Sequence, residues 1–400
     1  MDLDTFHHLV SPQGQEALAE AQRRQPREVD FLAHFQALSK RYPAELARAA
    51  LETAILRLEA VAKFPFADKL YLTREAMQQA SAYAVAQHRA QRFRSFARVA
   101  DLGCSVGGDS FGLAQVTDVL GLDLDELRLA MARANLQALG LGERGEFIQA
   151  DLQGGLPFRQ GGENMALFCD PARRAGGRRI FRVEDYLPPL SMVASWQADF
   201  PALGVKLSPG VDLDELQGYD AEIEFISLDG ELKEAALWFG PLKTTEFRAT
   251  GRRATLLPGG ETLVGPPKTQ GPVSPPQAYL YEPDPAVLRA GLVTNLGEML
   301  GAQQLDPQID YLTADRYIET PFARAWPVLD WMPFQLKRLR AYLRERGIGE
   351  VTIKKRGSPL EPDELREALR LSGSAHLTFF LTQVEGNHVV IFAGEEIKKI

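Results

Sequence analysis

Cysteine is scarce in this 400-residue chain, which has two, Cys104 and Cys169. That is too few for a disulfide framework or a Cys-rich zinc site. The six histidines (His7, His8, His34, His88, His376, His388) show no HExxH spacing, so no metal is expected. No run approaches the ~20 apolar residues needed to span a bilayer. The start, Met1-Asp-Leu-Asp-Thr-Phe-His-His8, is acidic and lacks an apolar signal core, so the cytoplasm is the expected location. Positive charge is short as well: 45 Lys and Arg against 53 Asp and Glu leave a net −8. That balance argues against non-specific nucleic-acid binding by the whole chain, but it leaves room for a local basic patch. The length implies two or three domains.

What is present changes character along the chain. Residues 1–95 read as a helical region. In Pro43-Ala-Glu-Leu-Ala-Arg-Ala-Ala-Leu-Glu-Thr-Ala-Ile-Leu-Arg-Leu58, residues Ala47, Leu51, Ala54, Ile55 and Leu58 fall at helical spacing. Thr73 is placed to cap a helix running to about Arg94. From Ala97 short apolar runs alternate with helical stretches. Strands are expected at 98–102, 119–123, 146–149, 165–169 and 204–208, with helices over 108–116 and 125–139. Two closing strands follow near 222–227 and 234–239. Alternation of this kind predicts an α/β fold with a parallel, doubly wound sheet over 96–250. Residues 251–277 are rich in Pro and Gly and read as a hairpin and stiff linker. An α+β module follows, with helices expected over 285–301, 333–346 and 362–371 and strands at 351–355, 377–384 and 389–393.

The strand Arg98-Val-Ala-Asp-Leu-Gly runs into the turn Asp101-Leu-Gly-Cys-Ser-Val-Gly-Gly-Asp109. A glycine-rich turn between a strand and a helix lets backbone approach a nucleotide, while the helix start offers free N–H groups. Gly103 and Gly107 supply that freedom, and Ser105 stands where many such loops carry glycine. Gly-x-Gly-x-x-Gly is absent, which disfavours a dinucleotide. Asp123 follows Asp101 by 22 positions and ends the second expected strand, the spacing of a carboxylate that binds ribose hydroxyls. Leu124 adjoins it. Asp151, after the third strand, is placed to accept from an adenine amino group. The fourth strand ends in Cys169-Asp-Pro-Ala-Arg-Arg174, where an open parallel sheet gathers its chemistry. Asp170 and the Pro171 carbonyl are candidate catalytic groups, able to hold the N–H groups of an exocyclic amine. Arg173, Arg174, Arg178 and Arg179, with Arg182 beyond them, are candidate phosphate ligands. From Met332 to Arg356 eight basic residues face two acids, a net +6 that includes Lys354, Lys355 and Arg356.

Taken together these blocks resemble the bacterial class I S-adenosylmethionine-dependent methyltransferases that carry a C-terminal THUMP-like domain. The matching pieces are the Asp101 turn, Gly121-Leu-Asp-Leu-Asp125, Asp170-Pro-Ala-Arg-Arg174, Lys206-Leu-Ser-Pro-Gly210, the stretch from Tyr281 to Ala290, and Ile353-Lys-Lys-Arg-Gly357. The resemblance implies a Rossmann-like core, a ferredoxin-like segment over 278–320 and a THUMP-like domain over 321–400. It also implies S-adenosylmethionine as cofactor and structured RNA (rRNA or tRNA) as partner. The core is similar to trimethylguanosine synthases too, but Ala172 and Arg173 stand where those enzymes carry an aromatic that can stack on guanine. Two other readings stay open: transfer to a protein or small molecule, and a SAM-binding or RNA-binding protein without turnover.

Overall fold

A computed structural model describes residues 1–158, 164–175, 178–179, 182–244, 251–268 and 271–398, with backbone alone at 174–175 and 178–179. These residues form two compact units: Met1–Ala221 with Glu234–Glu246, and Glu222–Lys233 with Phe247–Ile400.

The first unit opens with α1 (Leu3–Val10), α2 (Pro12–Arg23), α3 (Phe31–Leu38) and α4 (Ala44–Glu59). Asp2 and Ser11 cap α1 and α2 by accepting from the N–H groups of Thr5 and Gly14. α4 buries Leu46, Ala47, Ala50, Leu51 and Ala54. Its small alanines admit α1 and α2 closely.

The single helix expected after Thr73 is two helices, α5 (Arg74–Gln79) and α6 (Tyr83–Ala90). Thr73 caps the first as expected, accepting from Ala76 N at 3.1 Å. The break is a tertiary effect. Lys63 Nζ donates to the carbonyls of Met77, Gln78 and Ala80 at 2.8, 3.0 and 2.8 Å, collecting the acceptors that a helix end leaves open. Ala80 and Ala82 are extended there.

The sheet of this unit follows: β1 (Arg98–Leu102), α7 (Ser110–Leu113), β2 (Asp118–Asp123), α8 (Glu126–Ala138), β3 (Gly145–Gln149) and β4 (Met165–Cys169). Beyond them lie the two-residue strands β5 (Arg174–Ala175) and β6 (Arg178–Arg179), then α9 (Leu190–Ser195), β7 (Leu203–Leu207) and, after β8 (Ala221–Leu228) of the second unit, β9 (Glu231–Phe239). The order is β9-β7-β4-β1-β2-β3. The β1–β2, β1–β4, β2–β3 and β4–β7 pairs are parallel, and β9 closes antiparallel on β7. Successive strands leave β1 in opposite directions, so a topological switch lies between β1 and β4, where open α/β sheets bind ligands. α7 is shorter than the 108–116 expected, because the turn uses Gly107-Gly108-Asp109 before the helix starts.

The second unit holds β8 parallel to β10 (Arg252–Leu257), which turns antiparallel into β11 (Glu261–Gly265). β12 (Tyr279–Pro283), α10 (Pro285–Ala290), α11 (Val293–Leu300), β13 (Gln303–Asp306), β14 (Ile309–Ala314) and β15 (Ala323–Pro333) come next. The chain ends in α12 (Leu336–Glu345), β16 (Ile348–Lys355), α13 (Pro362–Leu369), β17 (Ala375–Val384) and β18 (Asn387–Ala393). Seven strands form a sheet in the order β13-β14-β12-β15-β18-β17-β16. Here the helix expected over 285–301 is split at Gly291, which ends α10 at φ +69°. Part of the expected linker is ordered, with Ser274 N donating to Gln304 O at 2.9 Å. Pro333 belongs to β15, so the basic helix starts at Leu336 and not at 333. Leu339 and Leu343 of α12 pack with Leu365, Leu369, Phe379 and Phe392. Among the described residues no helix is long and apolar enough to cross a membrane.

Candidate functional site

The turn after β1 is shaped by its backbone. Gly103 N and Cys104 N both donate to Leu122 O, at 2.8 and 2.9 Å, which ties the turn to the end of β2. Gly103 (φ +83°) sits so close to the end of β4 that a Cβ would lie 3.1 Å from the Asp170 carbonyl oxygen. Ser105 takes the left-handed region at φ 50° without being glycine, a strain of order 1–3 kcal/mol of the kind held at ligand sites. Asp123 offsets it: its Oδ2 accepts from Ser105 N at 2.9 Å while Oδ1 accepts from Asp125 N at 2.9 Å. Asn135, buried in α8, fixes the far side, donating to Val106 O and Tyr71 O and accepting from Tyr71 N.

Around this turn lies a cavity of about 510 Å³, within the roughly 300–1,000 Å³ of small-molecule sites. Its wall brings together Gly103, Ser105, Asp123, Leu124, Asp151, Asp170, Pro171 and Arg173. Leu124 is 62% exposed there, an apolar surface open to a flat ring. Asp151 is exposed and accepts from Gln153 N at 2.9 Å. Gln78, Gln79 and Ala80, at the end of α5, also line it. Gly107 (φ +89°) is buried behind the wall against Phe111 and Ala132.

Asp101 is not part of the wall. It is 1% exposed, and Ser110 Oγ donates to its Oδ2. Its Oδ1 is buried and has no hydrogen-bond partner among the described residues. Burial, with the Asp109 charge beside it, pushes its carboxyl up to about 7. Cys104 and Cys169 are buried thiols held well above their ordinary range by burial, which disfavours the reactive thiolate.

Beneath the cavity lies a charge cluster that sequence reasoning missed. Arg89 of α6, 2% exposed, pairs with Asp109 of the turn and with Glu234 of β9, at 2.9 Å in the latter case. It also donates to Ser81 Oγ at 3.0 Å, and Ser81 Oγ donates to Glu234 Oε2 at 3.2 Å. Burial works against the Arg89 charge, but Asp109 and Glu234 beside it more than offset that. Lys206 of β7 pairs with Asp170 Oδ2 at 2.5 Å. The available signal was the position of Lys206 inside the apolar run Gly204-Val-Lys-Leu207, and of Glu234 ahead of Ala-Ala-Leu-Trp-Phe239, since buried charges are almost always paired.

The remaining predicted residues lie elsewhere. The side chains of Arg174, Arg178 and Arg179 fall outside those described, and Arg182 faces Glu215 at 3.7 Å. Lys354, Lys355 and Arg356 belong to the second unit, each beside an acid: Glu282 at 2.6 Å, Glu361 at 2.6 Å and Asp310 at 3.4 Å.

A β1-centred parallel sheet, a strained glycine turn and carboxylates at the strand ends define a Rossmann-like nucleoside site. The model of the THUMP domain-like family matches residues 323–395, and a domain of unknown function (DUF8688) matches residues 2–60. An uncharacterized S-adenosylmethionine-dependent methyltransferase of Mycobacterium tuberculosis, recorded for two strains, is 37% identical over 343 residues, covering 84% of this chain and 92% of the relative. The crystal structure of a candidate methyltransferase from Porphyromonas gingivalis W83 superposes with a TM-score of 0.76 at 22% identity, covering 92% of this chain and 98% of that one, and shows the same fold. The chain belongs to the class I S-adenosylmethionine-dependent methyltransferases and carries a C-terminal THUMP-like domain. It is thus an S-adenosylmethionine-dependent methyltransferase, with S-adenosylmethionine as its cofactor. The site fits that group by its own chemistry. An orphaned buried carboxylate oxygen, a glycine cradle and acids at two strand ends suit a cationic molecule that bears ribose hydroxyls.

Proposed function

We propose that this enzyme methylates a nucleobase of structured RNA, an rRNA or tRNA of the cytoplasm. The observation that carries the reading is the THUMP domain-like match over 323–395 on the same chain as the methyltransferase site. Supporting it, Lys337, Arg338 and Arg344 are exposed on α12, and among the described residues none of them has an ion pair. Exposed helix cations that carry no internal ion pair are suited to phosphate.

In the cofactor set, Gly103, Ser105 and Gly107 shape the turn. Asp123 faces ribose hydroxyls, Leu124 packs on the adenine, Asp151 accepts from its amino group, and Asp101 is the acid near the methionine amino group. When bound, S-adenosylmethionine supplies an electrophilic methyl group. The chain's own work is positioning, since an in-line displacement gains most from a fixed approach. Asp170 Oδ1 and the Pro171 carbonyl accept the N–H groups of an exocyclic amine and turn its lone pair into the cavity. Arg173 on the wall, with Arg174, Arg178 and Arg179, contacts the neighbouring phosphates. On the second unit, Lys354, Lys355 and Arg356 are further contacts for RNA phosphate.

The test is transfer of labelled methyl groups from S-adenosylmethionine to extract from cells lacking the gene, with RNA and protein fractions counted separately. Label in RNA, traced to one modified base, is the expected result. Label confined to protein or small molecules would overturn the RNA reading.

A further inference from the structure

The charge cluster beneath the cavity has a part to play that cofactor binding does not use. Lys206 is 3% exposed and sits on β7, next to β4 in the sheet. Burial works against its charge, but Asp170, Asp109 and Glu234 around it more than offset that and keep the ammonium protonated. Its Nζ meets one oxygen of Asp170, Oδ2. The other oxygen, Oδ1, takes no hydrogen bond among the described residues, and Asp170 forms part of the cavity wall. A carboxylate pinned at one oxygen and open at the other has a fixed direction in which to accept. Glu234 and Asp109, whose charges favour the Lys206 ammonium, are in turn paired with Arg89 of α6.

We propose that Lys206 is a positioning residue for methyl transfer, clamping Asp170 Oδ2 so that Oδ1 is aimed at the N–H of the acceptor. The proposal rests on the reading that Asp170 meets the acceptor. The bond balance is simple: the acceptor nitrogen forms a bond to the methyl carbon as the carbon–sulfur bond breaks, its electron pair staying on sulfur. The proton then shed by the alkylated nitrogen passes along Oδ1 to solvent. The lysine ammonium keeps the carboxylate an acceptor throughout and neither gives nor takes a proton. Its removal would leave Asp170 free to rotate and without its counter-ion.

The experiment compares Lys206→Met, Lys206→Gln and Lys206→Arg with the parent enzyme. Labelled S-adenosylmethionine is the donor, and extract from cells lacking the gene is the acceptor source. The fraction that the parent enzyme labels decides the acceptor class, and Lys206 is judged on that same fraction, so the two readings fail separately. Cofactor affinity by calorimetry should stay within about threefold in all three variants. In Lys206→Met, kcat should fall on the order of 10²-fold, and the acid limb of its pH profile should move to higher pH because the carboxylate has lost its cation. Lys206→Arg, which keeps the charge, should hold the acid limb in place. Lys206→Gln keeps a donor of similar reach and carries the test if the Met variant does not fold. A kcat within about twofold of the parent, with an unmoved acid limb in either neutral variant, would overturn the proposal. So would equal losses of cofactor affinity and rate, which would mark a purely structural role.

Discussion

Arg89 of α6 and Asp109 of the cofactor turn form a buried ion pair across residues 20 apart in sequence. The N-terminal helices therefore supply a charge to the methyltransferase site. Breaking one side of a buried pair typically costs about 3–5 kcal/mol, because the partner is left charged and dry. Arg89→Met should lose stability of that order in urea unfolding, since both Asp109 and Glu234 are stranded. Adding Glu234→Gln should recover part of the loss. A single variant within about 1 kcal/mol of the parent, the scale of an exposed pair, would show that the cluster is not a structural tie.

Asp123 does two things at once: it receives the Ser105 and Asp125 N–H groups and faces the cavity. Hydrogen bonds to charged groups contribute about 1.5–3 kcal/mol, so Asp123→Ala should weaken S-adenosylmethionine binding roughly 10- to 100-fold. Calorimetry reads this directly. Asp123→Asn keeps one acceptor for the Ser105 N–H and should lose less. Unchanged affinity in the alanine variant would remove the ribose role.

How much of this site could be read in the sequence depends on where each residue sits. Asp123 ends β2, Asp170 directly follows β4 and Asp101 lies two residues before Gly103, so the apolar strand pattern alone puts each near a strand end, which has a fixed place in a parallel sheet. Arg89, Glu234 and Lys206 come from three distant elements and meet only through packing, which no local pattern encodes. The break before α6 was hidden for a similar reason. Ala80-Ser-Ala82 has no helix breaker, and the chain leaves the helix because Lys63, over a dozen residues earlier, takes its carbonyls. The split at Gly291 followed the opposite logic: a glycine inside an apolar period was read through as helix, whereas it supplied the left-handed residue that ends one.

Asp101 gives a pH signature. Its folded carboxyl is pushed from an ordinary 3.8 up to about 7, by burial first and then by Asp109. Between these values the folded protein holds a proton that the unfolded chain has shed. The stability it contributes is therefore complete below about 3.8 and is lost as pH rises through about 7, with a slope of up to about 1.4 kcal/mol per pH unit. Asp109 runs the other way. Burial alone would raise it, but Arg89 and Lys206 hold it below 3.8, so its contribution is present above that value and lost in acid. Cofactor-free protein should melt at progressively lower temperature from mildly acidic to mildly alkaline buffer, and Asp101→Asn should flatten that trend. Identical pH dependence in parent and variant would contradict the protonated state.

Two basic surfaces of the THUMP-like domain can be separated by salt. Lys337, Arg338 and Arg344 stand exposed on α12 without ion pairs among the described residues, whereas Lys354, Lys355 and Arg356 each face an acid. A cation that neutralises a phosphate on binding releases a counter-ion and contributes about 0.7–0.9 to the slope of log K against log salt. A cation already paired to a carboxylate must first leave that partner, so its net contribution is smaller. Replacing the three α12 residues by alanine should weaken RNA binding and lower the slope by about 2–3, with little change in melting temperature, since no described ion pair is lost. Replacing Lys354, Lys355 and Arg356 should lower the slope less and cost some stability, most of all at Lys354, which also lies 4.3 Å over the Trp326 ring. Equal salt slopes for the parent and the α12 variant would place the RNA contact elsewhere on the chain. A larger effect from the 354–356 variant would show that the ion pairs open on binding, so that Glu282, Glu361 and Asp310 act as place-holders for phosphate.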